Sequence, residues 1–132
     1  MALKNIANSD LTISHGTGSI VTGGTFTVNS TPSTKVKANN KGVHKGGIAF
    51  SFSGGSAPGC NPGSVTGSGT IFPKATKVKA EGQLVNRVDD DTNISMTGKT
   101  INPAPPPPLI DVPLGTQPVV ISNAGQNKVK GQ

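Results

Sequence analysis

One stretch of this chain occurs twice. Thr34-Lys35-Val36-Lys37-Ala38 returns residue for residue as Thr76-Lys77-Val78-Lys79-Ala80. Each copy continues with turn residues, a Val, a polar residue and a cation: Asn39-Asn40-Lys41-Gly42-Val43-His44-Lys45 in the first, Glu81-Gly82-Gln83-Leu84-Val85-Asn86-Arg87 in the second. An alternating strand, a tight turn at Asn39-Asn40 or Glu81-Gly82 whose Asn and Gly tolerate positive φ, and a return strand predict a β-hairpin. Internal repetition of a short unit constrains the fold more than any other feature, because copies of one unit bury surface by packing on one another.

A second signature precedes each hairpin. His15-Gly16-Thr17-Gly18-Ser19-Ile20 and Thr66-Gly67-Ser68-Gly69-Thr70-Ile71 share the pattern x-Gly-x-Gly-(Ser/Thr)-Ile, which predicts a Gly-rich turn leading into a strand. The chain thus reads as two copies of a Gly turn followed by a hairpin, with an insertion over Thr22 to Ser33 in the first copy.

The composition suits such a unit and little else. Aromatic residues are 3%, Trp and Tyr are absent, and there are 18 Gly and 11 Pro. Ala, Leu and Glu never cluster at helical spacing, so the body is expected to be all-β, built from short strands and tight turns. The formal charge of +6 admits nucleic acid, an anionic membrane or an acidic protein as partner. The cations are mostly Lys at alternate strand positions, which reads as a solvated strand face, and without Tyr or Trp there are few platforms for stacking bases, so nucleic acid is not expected. One cysteine, Cys60, excludes an intrachain disulfide. No apolar run is long enough to span a membrane, and the first residues lack the pattern of a cleaved signal, so synthesis in the cytoplasm is expected.

In order along the chain, Leu11 and Ile13 read as a strand end, and Ile20-Val21 and Thr25 to Val28 as strands separated by a break at Gly23-Gly24. Ile48 to Phe52 is the most apolar stretch, and the run from Ser53 to Gly63 reads as a turn system containing Cys60. Ile94, Met96 and Ile101 suggest one more strand. The expected division is a β body over 1–102, an extended Pro-rich linker over 103–113 and a C-terminal tail over 114–132. The tail's apolar residues suit packing back on the body or docking on a partner.

His15, His44 and Cys60 are the residues with metal-ligand chemistry, since Zn²⁺ favours tetrahedral nitrogen and sulfur coordination. No C-x-x-C or H-x-x-H pair supports them, so spacing alone makes a weak case. Cys60 with a His is also the parts list of a thiol nucleophile, but catalysis needs an orienting third group and a concave pocket that a short repetitive chain has little volume to form. Asp89-Asp90-Asp91 lacks the Gly and distal Glu of a calcium loop. The residues point to a protein that is not an enzyme.

The repeated unit resembles the PAAR-repeat family over about residues 9 to 100. His15-Gly16-Thr17-Gly18-Ser19-Ile20 is similar to that family's first His turn. The run from Thr76 to Asp89 is similar to its hairpin with an Arg-x-x-Asp-like ending, here Arg87-Val88-Asp89. The resemblance implies a small conical β fold with pseudo-repeats; the extended Pro-rich C-terminal tail read from the residues lies outside it. It implies a structural tip that caps a trimeric β-helical spike, one copy per trimer, in a contractile injection machine: type VI secretion, a phage tail or tailocin, or an extracellular injection particle. It implies assembly at the particle tip, transient contact with a target membrane, and an effector or cargo on the tail. It also implies one Zn (or Fe) ion near the apex, with His15 carrying over best, Cys60 next and His44 least. The sequence departs from the family at Thr66, where a second His would stand, and at Lys45-Gly46-Gly47, where the first hairpin loses its Arg-x-x-Asp ending. The alternative from the residues themselves is a small basic β module that binds an acidic polymer or surface.

Overall fold

The structure, a computed structural model, describes residues 3–101, 104 and 108–132. Its twelve strands are β1 (Lys4–Asn5), β2 (Thr12–His15), β3 (Thr22–Val28), β4 (Lys37–Ala38), β5 (Lys41–Gly42), β6 (Ile48–Ser56), β7 (Val65–Ile71), β8 (Lys79–Ala80), β9 (Gln83–Leu84), β10 (Asp91–Ile101), β11 (Leu109–Asn123) and β12 (Lys130–Gly131). Every pairing among them is antiparallel, and the described residues contain no helix. The chain is all-β.

Both repeat copies fold as hairpins of matching register. β4 pairs β5 with Ala38 opposite Lys41, and β8 pairs β9 with Ala80 opposite Gln83. The turn residues Asn39 and Asn40 have φ of 54° and 68°, and Glu81 and Gly82 have 50° and 82°. Positive φ at both central positions is the type I′ turn, whose twist matches that of the strands it joins. Glu81 is the residue with most strain to offset there, and its carboxylate accepts a 2.6 Å hydrogen bond from the Ser33 hydroxyl of the other copy.

The remaining long strands form one sheet in the order β2-β11-β10-β7-β6-β3. Its two edge strands, β2 and β3, are consecutive in the chain, and the sheet curls until they nearly meet. There the His15 imidazole Nε2 lies 2.8 Å from the Gly23 carbonyl oxygen. Alternation sends Ile48, Phe50 and Phe52 of β6, Ile94 and Met96 of β10, and Val119 and Ile121 of β11 to the buried interior. Burial of side chains this size contributes roughly 1.5–3 kcal/mol each. A second, smaller apolar cluster of Ile6, Ala38, Val43, Ala80 and Val85 lies among the hairpins.

Four expectations change. Gly23 and Gly24, read as a break, lie inside β3, which runs from Thr22 to Val28, and Ile20 and Val21 precede it outside any strand. Gly67 and Gly69 are not in a turn but at inward positions of β7. Neither has positive φ; a Cβ on Gly67 would sit 3.1 Å from Met96, and one on Gly69 would collide with Ile94. They are small because the tightly curled interior leaves no room, whereas Gly18, in the first signature, does turn the chain with φ of 90°. Ser53 to Ser56, read as loop, extends β6, with Gly54 at φ 74° making a local kink. Finally, of the expected linker over 103–113, residues 109–113 are strand, while the expected tail over 114–132 takes the first of its two alternatives and packs back on the body, residues 114–123 within the sheet. β11 pairs with β10 from Leu109 to Val120 and with β2 from Val119 to Asn123, and β12 pairs with β1. The alternation of Gln117, Val119 and Ile121, all buried, is what draws it in. Pro103, Pro105, Pro106 and Pro107, the centre of the expected extended segment, lie outside the described residues.

Candidate functional site

The repeat has a third copy. Lys128-Val129-Lys130-Gly131 matches Lys35-Val36-Lys37-Ala38 and Lys77-Val78-Lys79-Ala80, with Gly131 in place of Ala. Its return strand comes from the other end of the chain: β12 pairs β1, with Lys4 opposite Gly131. The amide of Val43 donates to Val36 O (3.1 Å), that of Val85 to Val78 O (3.2 Å), and that of Ile6 to Val129 O (3.0 Å). These are one hydrogen bond made three times.

The three hairpins close into a ring. His44 N donates to Ala7 O (3.0 Å), Ala7 N to Asn86 O (2.8 Å) and Asn86 N to His44 O (2.9 Å). The bridges Ile6–Arg87, Asn8–Val43 and Lys45–Val85 repeat the same cycle. Ile6, Val43 and Val85 are equivalent and all buried, as are Gly131, Ala38 and Ala80. Only small residues fit where three strands converge on one axis, and the cyclic backbone bonds satisfy the amides that a narrow centre would otherwise leave unpaired. Ion pairs tie each hairpin to the next: Lys4–Asp89 (3.6 Å), Lys41–Asp10 (3.9 Å) and Lys45–Glu81 (3.7 Å). The Ser33 hydrogen bond holds the Glu81 carboxyl below the usual range, with Lys45 and Lys35 adding to it.

The threefold pattern extends outward from the ring. Each hairpin continues into a strand of the large sheet, returns, and enters the next hairpin: β2 and β3 lie between the third and first, β6 and β7 between the first and second, β10 and β11 between the second and third. At that far end the symmetry fades. The strands have 4 and 7, 9 and 7, and 11 and 15 residues.

The three candidate ligands occupy three different settings. His15 ends β2; its ring stands edge-on to Phe26 and Phe52, centroids 5.1 Å from each, and its Nδ1 is buried without a partner. Gly24 and Gly55 make the space for the Phe52 ring, since a Cβ on either would strike it. Cys60 lies in the β6–β7 connection, its side chain resting on Gly98, where a Cβ would come 2.9 Å from that of Cys60. His44 is buried in the ring, and burial lowers its pKa below 6.5. Among the described residues no group of three or more His, Cys, Asp or Glu side chains is placed to hold a metal ion. His15 thus stands against Gly23 and the phenylalanines, Cys60 against Gly98, and His44 in the ring. A shallow depression of about 540 Å³ is lined by Asn5, Asn39, Val88 and 122–127, with no acid, base or thiol in its wall.

The third copy is what sequence reasoning missed, and its signal was the Lys-Val-Lys-small string at residues 128–131. No family model matches the chain, and neither a curated protein nor a solved structure matches it.

Proposed function

We propose that this chain is a non-enzymatic, PAAR-like tip protein. It caps the end of a trimeric β-helical spike of a contractile injection machine, one copy per trimer, and sharpens it for piercing a target envelope. The observation that carries this reading is the ring: one chain that presents three equivalent hairpins, joined by a threefold cycle of backbone hydrogen bonds. A single copy on the axis of a homotrimer faces three identical surfaces. An ordinary asymmetric monomer can satisfy one of them; a pseudo-threefold monomer satisfies all three with the same contacts. The resemblance of residues 9 to 100 to PAAR repeats supports the same reading, as does a body held by tight turns and small residues rather than organised around a catalytic cleft.

The end that meets the trimer is the hairpin ring. Its three parts share one register, whereas the strands and connections at the opposite end are unequal, and only equal geometry can repeat a contact three times. The opposite end, with the β2–β3 and β6–β7 connections and the Ile101–Leu109 pair, then faces outward. The test is native mass spectrometry of the full chain mixed with a recombinant trimeric β-helical spike. The expected complex holds one copy of this chain and three spike chains. Absence of a complex with spikes of this class, or three copies per trimer, overturns the proposal.

A further inference from the structure

The charge of the protein is distributed with the same threefold order as its backbone. The chain has 12 Lys and Arg against 6 Asp and Glu. Every acidic side chain has a cation beside it. Three are the ion pairs of the ring; Asp91 pairs with Lys74 and Asp111 with Lys99; and Asp90 accepts the Arg87 amide at 2.9 Å and feels its guanidinium charge. The cations left over are Lys35 and Lys37, Lys77 and Lys79, Lys128 and Lys130. All six are exposed, and none makes an ion pair among the described residues, although Lys35 lies close enough to Glu81 to lower its pKa. The whole net charge of +6 therefore resides in three Lys-Val-Lys segments at equivalent positions.

We infer that these segments form a threefold docking surface for carboxylates on a homotrimeric protein, each Lys-Val-Lys facing the same acidic patch on one subunit. The inference rests on the capping reading for the partner's symmetry. In each segment the first lysine sits in a bend and the second opens the two-residue strand; both are exposed, while the following Ala38, Ala80 or Gly131 is buried. A monovalent acidic partner would need one such segment. An anionic polymer or lipid surface would be met by cations anywhere on the molecule, yet the cations outside these segments are neutralised within the protein. Three weak, equivalent, charge-complementary contacts on one rigid ring gain affinity together and also fix the rotational register of cap on trimer.

The test uses the full chain and a three-stranded coiled coil that displays a short Glu-rich peptide on each strand, with the same peptide as a monomer, its Gln counterpart, and vesicles of anionic lipid as comparisons. The expected result is one chain per trimer, bound roughly 10²-fold or more tighter than the monomeric peptide. Affinity falls as salt shortens the screening length from about 10 Å at 0.1 M. Lys35→Gln with Lys37→Gln, Lys77→Gln with Lys79→Gln, and Lys128→Gln with Lys130→Gln should each weaken binding by similar factors. Lys74→Gln with Lys99→Gln, the same change in charge at paired sites, should leave it unchanged. Equal affinity for monomer and trimer, equal losses from the Lys74/Lys99 variant, or vesicle binding as tight as trimer binding overturns the inference. Binding of the β-helical spike separates the two readings: a spike held equally by the wild type and the Gln variants keeps the cap and removes the lysine surface. Trimer-selective acidic binding without spike binding keeps the lysine surface and removes the cap.

Discussion

The hairpin ring and the six-stranded sheet are built from the same threefold chain path, yet one keeps its symmetry and the other loses it. In the ring the contacts that repeat are backbone hydrogen bonds and small buried side chains, and residues as different as Ala7, His44 and Asn86 occupy one equivalent position. In the sheet the interior is filled by large side chains, and those are unequal: Phe26, Phe50, Phe52 and His15 cluster on one side, while β7 answers with Gly67 and Gly69. Backbone geometry survives the divergence of repeated copies because it is indifferent to side-chain identity. Packing does not, because each enlarged residue demands a reduced one opposite.

Removal of residues 126–132 should have the largest effect. It deletes β12 and with it the Ile6–Val129 hydrogen bond, the two bonds that Lys77 and Val78 amides make to Gln132 O, and those that the Gln126 amide makes to Ile6 and Val129 oxygens. At ~1 kcal/mol each the loss is several kcal/mol, a large part of the stability of a domain this size. Thermal melts should show it as a fall of more than about 10 °C, since a chain of this length lies between the about 4–8 °C per kcal/mol of shorter domains and the about 2–4 °C of longer ones. An unchanged melting point would mean that the ring does not need its third hairpin. In the sheet the matching seam is β2 against β3, where a side chain replaces a ladder. His15→Ala removes the Gly23 hydrogen bond and two edge-on ring contacts, an expected loss of about 2–3 kcal/mol. Amide exchange should quicken along β2 and β3 while the ring hairpins keep their protection; uniform exchange throughout would argue against a local seam.

The sequence made the first two hairpins and the positions of their turns legible, because Asn39, Asn40 and Gly82 carry the turn chemistry locally; Glu81 takes positive φ without that help. The third hairpin had no such signal: its strands stand at opposite ends of the chain, with no turn between them, and only Lys128-Val129-Lys130-Gly131 betrays it. The Gly-x-Gly-(Ser/Thr)-Ile string misled for a physical reason. Glycine serves either positive φ or close approach, and one string used it for the first at Gly18 and for the second at Gly69. Spacing said nothing of the settings of the candidate ligands: His15 ends β2 beside Gly23 and two phenylalanines, Cys60 lies in the β6–β7 connection beside Gly98, and His44 is buried in the ring.

That distinction predicts opposite outcomes for two glycines. Gly82→Asn places in the second hairpin the residue that the first has at its own turn, Asn40, at φ of 82° against 68°; the cost should be a few tenths of a kcal/mol, since Asn tolerates this region. Gly69→Ala forces a Cβ into Ile94 and should cost about 1–3 kcal/mol as overpacking. Gly131→Ala tests whether the ring is as interchangeable as it looks. Ala stands at both equivalent positions, but here a Cβ would approach Val78 to 2.7 Å, so the expected penalty is of the same overpacking size. If all three changes were equally mild, the contrast between backbone-made ring and side-chain-made sheet would fail.

The smallest effect separates the three equivalent ring positions by pH. His44 is buried and its pKa is lowered by that burial, so the unfolded chain binds a proton near 6.5 that the folded ring resists. Stability is then fully present above about pH 6.5 and declines as pH falls toward the folded value, at no more than ~1.4 kcal/mol per pH unit for one proton. Asp90 runs the other way: burial raises its pKa, so protonation on acidification favours the folded state. A wild-type melt alone mixes the two. His44→Asn, which installs the residue of the second hairpin's equivalent position, removes only the first contribution. The difference in stability between wild type and His44→Asn should therefore shift in favour of Asn as pH falls from 7 to 5, and be independent of pH above 7. A difference that stays flat across the whole range would mean that the ring opens enough to admit the imidazolium without cost, and the close threefold packing around His44 would have to be looser than its backbone bonds indicate.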